Sequence, residues 1–575
     1  MKRILPLILA ALLLCGCSAP AASQPVASEE APAATAPQQA KPVITETPEI
    51  AFESRFDAET LITLSDSGMD VIGPNSMAVF GSNDIVYYED RDTYDSGNPY
   101  GEGKSADKHT AEEAAAHYVV NITEPGAYRI TGKLSAGQIR IDLGKDAYED
   151  ETAVVELILD NADITCTVAP AILFENVYEC DGNWSTDTAK ADVDTSAAGA
   201  NLVLEGENTV NGAYVAKIYK DKDGEKKLWK QDGAIYSYMS MNVFGPGKLT
   251  LNAANEGLDT ELHLTINGGD ISILSDNDGI NTNEDGVSVT TINAGKLHIV
   301  AGLGKEGDGI DSNGYLVING GTVISSAKPA SDAGLDSDLG SFIHGGTVIA
   351  LGSSMDWAES DSKQVTMNLQ FSQQQSGAIR ITDEAGNEIY TFDPTADPVL
   401  GSYGRTYQGV ILSTPAFSVG DSYQVYVAGN QMQYTSTDVM RGPGGMGGFG
   451  GMGGQMPEGF DPSQMPEGFG KGEMPEGFAG FNGGEIPEGF EGFNGGQMPE
   501  GFEGQFPGNM GGQMPNWGEG EMPSMPTGGM PEGFSGGRGD GKGRGDREQP
   551  ASTAGSTTFY MQDKVNFFSG ITAVK

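Results

Sequence analysis

One six-residue pattern, met four times in the middle of the chain, constrains the fold more than any other feature. Asn255-Glu256-Gly257-Leu258-Asp259-Thr260 is followed by Leu264-Thr265-Ile266-Asn267-Gly268-Gly269-Asp270-Ile271. Asn277-Asp278-Gly279-Ile280-Asn281-Thr282 is followed by Thr291-Ile292-Asn293-Ala294-Gly295-Lys296-Leu297. Gly307-Asp308-Gly309-Ile310-Asp311-Ser312 leads into Val317-Ile318-Asn319-Gly320-Gly321-Thr322-Val323, and Asp332-Ala333-Gly334-Leu335-Asp336-Ser337 into Phe342-Ile343-His344-Gly345-Gly346-Thr347-Val348. The glycines at 257, 279, 309 and 334 are 22, 30 and 25 residues apart. Each unit holds short alternating strands punctuated by Gly or Asn, with no helical period.

A unit that cannot bury its own apolar face must stack on copies of itself. The expected architecture is all-β: a parallel β-helix with one coil per repeat, apolar residues inside and Asn and Gly at the corners. An antiparallel sandwich would explain the strands but not the recurring hexapeptide. Weaker strand-and-turn signals run upstream at Gly126–Gly132, Val155–Asp160, Leu202–Gly206 and Gly245–Thr250. The β-helix is therefore placed at 121–360, with a more mixed N-terminal capping region at 51–120 and a strand-rich C-terminal β region at 361–440.

Aligning the hexapeptides stacks Asp259, Asn281, Asp311 and Asp336 in one column and Glu256, Asp278, Asp308 and Ala333 in a second. Neighbouring coils sit about 4.8 Å apart, and carboxylates that close repel unless protonated, hydrated or bridged by a cation. Ca²⁺ takes six to eight hard oxygen ligands, so carboxylates and amide oxygens of adjacent coils could share one ion. The candidate metal ligands are Glu256, Asp259, Asp278, Asn281, Asp308, Asp311 and Asp336. A solvated turn, with Asp and Asn side chains holding local backbone, is the competing account.

The run Pro125-Gly126-Ala127-Tyr128-Arg129-Ile130-Thr131-Gly132, then Leu159-Asp160-Asn161-Ala162-Asp163-Ile164 with Pro170-Ala171-Ile172, then the Asp-Gly-Ile and Ile-Asn-Gly-Gly coils, resembles the clostridial cellulose- and acid-sugar-binding β-helix family over roughly 55–440. That resemblance implies a pectate-lyase-like, right-handed parallel β-helix with bound calcium, recognising polysaccharide without known cleavage. The calcium role is carried only to the matched columns, which Asn281 and Ala333 interrupt.

Charge narrows the partners. The chain of 575 residues carries a formal net charge of −47, which excludes nucleic acid binding through clustered Lys and Arg. Residues 441–548 hold only 16 acidic and six basic residues, so most of the negative charge belongs to the folding part. Against that background, 213–240 is a basic, aromatic island. Lys217, Lys220, Lys222, Lys226, Lys227 and Lys230 are interleaved with Tyr214, Tyr219, Trp229, Tyr236 and Tyr238, in what reads as a hairpin turning at Asp223-Gly224. Aromatic faces stack on sugar rings and lysines attract uronates. Lys217, Tyr219, Lys226, Lys227, Trp229 and Lys230 are the candidate carbohydrate contacts; a solvated hairpin is the alternative. A calcium-dependent lyase would also need a Lys or Arg base. Residues 231–360 contain no arginine, and of their lysines only Lys305 precedes the acidic column directly.

The ends carry separate signals. Met1-Lys2-Arg3, the apolar run Ile4–Leu14 and Leu14-Cys15-Gly16-Cys17 resemble a bacterial lipobox. Cys17 would then be the lipidated N-terminus of an exported, membrane-anchored, cell-surface protein, with 1–17 a signal and 18–50 a flexible linker. Cys166 and Cys180 remain in the body, either paired or free. Met456-Pro457-Glu458-Gly459-Phe460 recurs at 465, 474, 498 and 530, which makes 441–550 low-complexity and expected to be disordered. Strand character returns in 551–575. The expectation is a calcium-containing, non-catalytic polysaccharide-binding lipoprotein. A calcium-dependent polysaccharide lyase and an adhesin acting through the repeat segment are the alternatives.

Overall fold

A computed structural model describes residues 50–83, 109, 111–182, 185–222, 225–329, 331–353, 355–437 and 555–575, without the side chains of 111 and 216–229. Cys17, the signal and linker segments and the Met-Pro-Glu-Gly-Phe repeats lie outside the described residues. The described chain is nearly all β.

Three ladders carry the body. The first runs in parallel through Tyr118–Ile122, Gly137–Asp142, Ile172–Asn176, Gly233–Ser237, Glu256–Thr260, Ile280–Thr282 and Ile310–Ser312. The second passes through Ala200–Glu205, Met241–Phe244, Leu264–Ile266, Val289–Ile292, Tyr315–Ile318 and Gly340–Ile343. The third passes through Glu207–Gly212, Lys248–Ala253, Asp270–Ser275, Lys296–Val300, Thr322–Ser326 and Thr347–Gly352. The chain visits the ladders in turn, so each repeat contributes one coil and pairs with its predecessor in parallel.

The apolar pattern explains the register. Ile235, Leu258, Ile280 and Ile310 stand in line, as do Ile266, Ile292, Ile318 and Ile343. All eight are fully buried. Burying each such side chain is worth roughly 1.5–3 kcal/mol, and a one-residue slip would turn every one of them outward.

Glycine sets how closely the coils approach. A Cβ on Gly257 would lie 2.3 Å from Gly279 O, one on Gly279 2.5 Å from Gly309 O, and one on Gly309 2.5 Å from Gly334 O. The glycine of the hexapeptide is therefore required by the carbonyl of the following coil, not by an unusual backbone angle.

At the N-terminal end, Glu59–Ser65 pairs in parallel with Gly126–Leu134, while Gly68–Ile72 and Val79–Ser82 close the edges in antiparallel fashion. Beyond the last coil the direction changes. Tyr407–Ser413 pairs antiparallel with both Thr347–Gly352 and Thr366–Gln375, and Val565–Ala573 joins Thr366–Gln375 in parallel. The C-terminal β region covers Val300, Ile324 and Ile349 with its own apolar cluster, which includes Met367, Leu369, Val410, Leu412 and Phe568.

The cysteines are not bridged. Cys166 ends Val155–Cys166 inside the core, whereas Cys180 sits in the loop beyond Ile172–Asn176, and both are free thiols. Burial pushes both thiols up, to about 11 for Cys166 and about 12 for Cys180.

Candidate functional site

The first ladder presents the two acidic rows. In one, Tyr236, Asp259, Asn281 and Asp311 are direct register neighbours, and Ser312 N donates to Asp336 O at 3.2 Å in the following turn. In the other, Gly257 N donates to Asp278 O, Gly279 N to Asp308 O and Gly309 N to Ala333 O, at 3.0, 3.0 and 2.9 Å. Glu256, Asp278, Asp308 and Ala333 therefore follow one another up the stack.

These side chains do different jobs. Asp278 Oδ1 accepts from Asp308 N at 2.6 Å, and Asp308 Oδ1 accepts from Ala333 N at 2.5 Å. Each therefore clips its coil to the next. Around Glu256 and Asp259 the partners are amides: Asn281 Nδ2 donates to Glu256 Oε2 at 3.2 Å and Asn283 Nδ2 to Asp259 Oδ1 at 2.6 Å. Two oxygens are left over. Asp259 Oδ2 and Asn281 Oδ1 are buried and accept no hydrogen bond, on residues only 0% and 6% exposed, and the Asp259 and Glu256 carboxyls lie within hydrogen-bond reach of each other, which a shared proton or a cation must reconcile. A buried acceptor left unpaired costs about 1–3 kcal/mol, more if charged.

The electrostatics are unfavourable throughout. Burial, followed by the neighbouring carboxylates, pushes Asp259 well above the carboxylate range, and Glu256 also upward. Asp278 is likewise far above it, through burial and then Glu256. Asp308 is raised to about 8 and Asp311 to about 6, by burial first and then by Asp336 among the charged neighbours. Asp336 shifts in the same direction. Asp356, missed in the sequence, joins the far end: it accepts from the hydroxyls of Ser337 and Ser341 and is raised to about 6 by burial. Among the described residues no three His, Cys, Asp or Glu side chains converge as a preformed metal centre. The donor set is instead one of hard oxygens spread along adjacent coils, with its unsatisfied atoms at Asp259 and Asn281.

The basic island does form a hairpin. Val215–Lys222 and Glu225–Gln231 pair with each other, with Ile218 opposite Trp229, Tyr219 opposite Leu228, Lys220 opposite Lys227 and Asp221 opposite Lys226. The side chains of Lys217, Tyr219, Lys226, Lys227 and Trp229 lie outside what the structure describes. Lys230, at the hairpin root, is described, and it points to the acidic column: its Nζ lies 2.8 Å from Asp232 Oδ2 and 3.5 Å from Asn283 Oδ1. Burial works against its charge, but Asp232, Glu256 and Asp259 outweigh that and hold it above the ordinary lysine range. Asp232 was missed in the sequence, and Tyr236 was read as part of the aromatic island rather than as the register neighbour of Asp259. Extending the hexapeptide alignment one coil upstream, where Ile235 pairs with Leu258, would have found them.

An all-β stack of parallel coils with a buried acidic column is thus the class of protein defined. Residues 116–391 match the sequence profile of the carbohydrate-binding domain-containing protein family, in agreement with the resemblance read from the motifs. A carbohydrate-binding domain-containing protein of Acetivibrio thermocellus is 31% identical over 155 residues, which is 27% of this chain and 44% of that protein. The chain thus spans less than half the length of this relative. A solved polysaccharide lyase-like protein from C. thermocellum, a gadolinium derivative, aligns over 50% of this chain and 93% of its own, at 20% identity and a TM-score of 0.28.

Proposed function

We propose that this chain binds polysaccharide through a right-handed parallel β-helix whose acidic column holds Ca²⁺, on an exported protein anchored by a lipid at Cys17. The observation that carries the reading is the pair of orphaned oxygens, Asp259 Oδ2 and Asn281 Oδ1, on adjacent coils within a row of mutually repelling carboxylates. Asp259, Asn281 and Glu256 would hold the ion, with Asp278 and Asp308 contributing charge while clipping the coils. When bound, Ca²⁺ offsets that charge and offers hard-ligand positions to the oxygens of an acidic sugar. The family match and the relative's description support a carbohydrate partner. The strong negative charge makes a bridging cation or the lysine hairpin necessary for an acidic glycan.

The test is a glycan array and polygalacturonate pull-down with the full chain, in calcium and in excess chelator. Retention should require calcium and be lost in Asp259→Asn. Equal retention in chelator, with Asp259→Asn unchanged, overturns the reading. One observation favours a second reading, a calcium-dependent lyase: Lys230 brings a lysine to the column. Its strongly held proton makes it a poor base, and the absence of ultraviolet-absorbing unsaturated products from polygalacturonate would remove the lyase.

A further inference from the structure

The hairpin root and the acidic column meet at one side chain. Val215–Lys222 and Glu225–Gln231 form a two-stranded sheet of their own, attached to the coils at its base. Lys230 leaves that base and contacts Asp232 and Asn283. Asn283 in turn donates to Asp259, so one amide separates the ammonium from the carboxylate that bears an unpaired oxygen. Lys230 is also the cation whose field reaches Glu256, Asp259 and Asp311. Among the described residues Lys230 is thus the positive charge that faces the crowded end of the column, held by its ion pair with Asp232 on a half-exposed stem.

A divalent ion at the Asp259 and Asn281 oxygens would sit one hydrogen-bonded amide, that of Asn283, away from this ammonium. Across such a gap a doubly and a singly charged cation repel by several times thermal energy at the effective dielectric of a protein surface. We propose that Lys230 is a built-in counter-ion of the column which a divalent cation displaces, so that cation binding and the anchoring of the hairpin oppose each other. This rests on reading the column as a cation site. The displaced ammonium, carried by the strand that holds Lys226, Lys227 and Trp229, becomes available to the anionic group of a sugar.

The experiment is calorimetric titration of the full chain with Ca²⁺ alone, for the native protein, Lys230→Met and Lys230→Arg, together with hydrogen exchange of the hairpin amides. Lys230→Met should bind Ca²⁺ about tenfold more tightly, with Lys230→Arg close to native. Calcium should speed exchange across residues 215–231 in the native chain. Equal or weaker affinity in Lys230→Met, or unchanged hairpin exchange in a native chain that does bind calcium, overturns the proposal and leaves the cation site standing. No binding by native, Met or Arg chains overturns both. If Lys230→Met fails to fold, native hydrogen exchange still decides.

Discussion

Two stacked polar rows run up the same coils, and they solve the same problem in opposite ways. At one corner, Asn293 Nδ2 donates to Asn267 Oδ1 at 2.9 Å and Asn319 Nδ2 to Asn293 Oδ1 at 2.8 Å. An amide is both donor and acceptor, so identical side chains at a coil spacing satisfy one another. On the first ladder, Asp259, Asn281 and Asp311 occupy the same kind of register. Ionised carboxylates only accept, so stacking them creates repulsion and unpaired oxygens. Both rows belong to one repeat, and only one is self-sufficient. The insufficient row is where an outside partner, a proton or a cation, has work to do.

The largest expected effect breaks the spacing on which the acidic row depends. In Gly279→Ala the new Cβ meets Gly309 O at 2.5 Å and Ile299 Cγ2 at 2.2 Å. The carbonyl belongs to the next coil's backbone and cannot rotate away. Thermal unfolding should show a loss of about 3 kcal/mol or more. A change under 1 kcal/mol would mean that the coils are not held this closely.

Next comes the row's charge. Asp259→Asn converts the crowded carboxylate into an amide, the chemistry of the self-sufficient corner. In chelator the variant should unfold at the native temperature or above it. In saturating calcium it should lose most of the stabilisation that calcium gives the native chain, which is about 2.7 kcal/mol at a hundredfold excess over Kd. Melting curves with and without calcium check both halves. Equal calcium stabilisation in both chains would separate the column from the ion.

pH sharpens the contrast further. Asp311 and Asp356 are raised to about 6 and Asp308 to about 8 in the folded chain, all mainly by burial. A folded state that holds protons more tightly than the unfolded chain is favoured at low pH and loses that advantage as pH rises through the folded values. In chelator the melting temperature should fall by roughly 5 °C or more between pH 5 and pH 8. Calcium should flatten the slope, since a bound cation takes over from the protons. A flat profile in chelator would show that the carboxylates are solvated rather than buried.

The hexapeptide made the stack and both acidic rows legible, because side-chain columns follow from register and the glycine follows from backbone approach. Glu256, Asp278 and Asp308 follow one another up the stack for that reason. The sequence could not tell that Asp278 and Asp308 would each spend an oxygen on the next coil's N–H, since that depends on side-chain direction. It also treated Lys230 as one of six hairpin lysines. Its place over Asp232 depends on how the hairpin leaves the coil, and no local pattern encodes that exit. The cysteines illustrate the same limit: Cys166 and Cys180 are only 14 positions apart in sequence, yet one lines the core and the other a loop.

The smallest effect belongs to the self-sufficient corner and serves as the control. Asn293→Ala removes one donor and one acceptor from the amide ladder, leaving Asn267 Oδ1 and the Asn319 amide without that partner. Asn267 is nearly buried and has little water to turn to, whereas Asn319 is exposed and regains hydration. The expected loss is about 1–2 kcal/mol. More telling than its size is its indifference: at pH 8 the loss should be the same in chelator and in calcium, because Asn267, Asn293 and Asn319 carry no charge and His344, at the same corner of the next coil, is neutral there. If the Asn293→Ala penalty instead varied with calcium as the Asp259→Asn effect should, the two rows would be coupled through the coil, and the acidic row could no longer be treated as the separate site of cation binding.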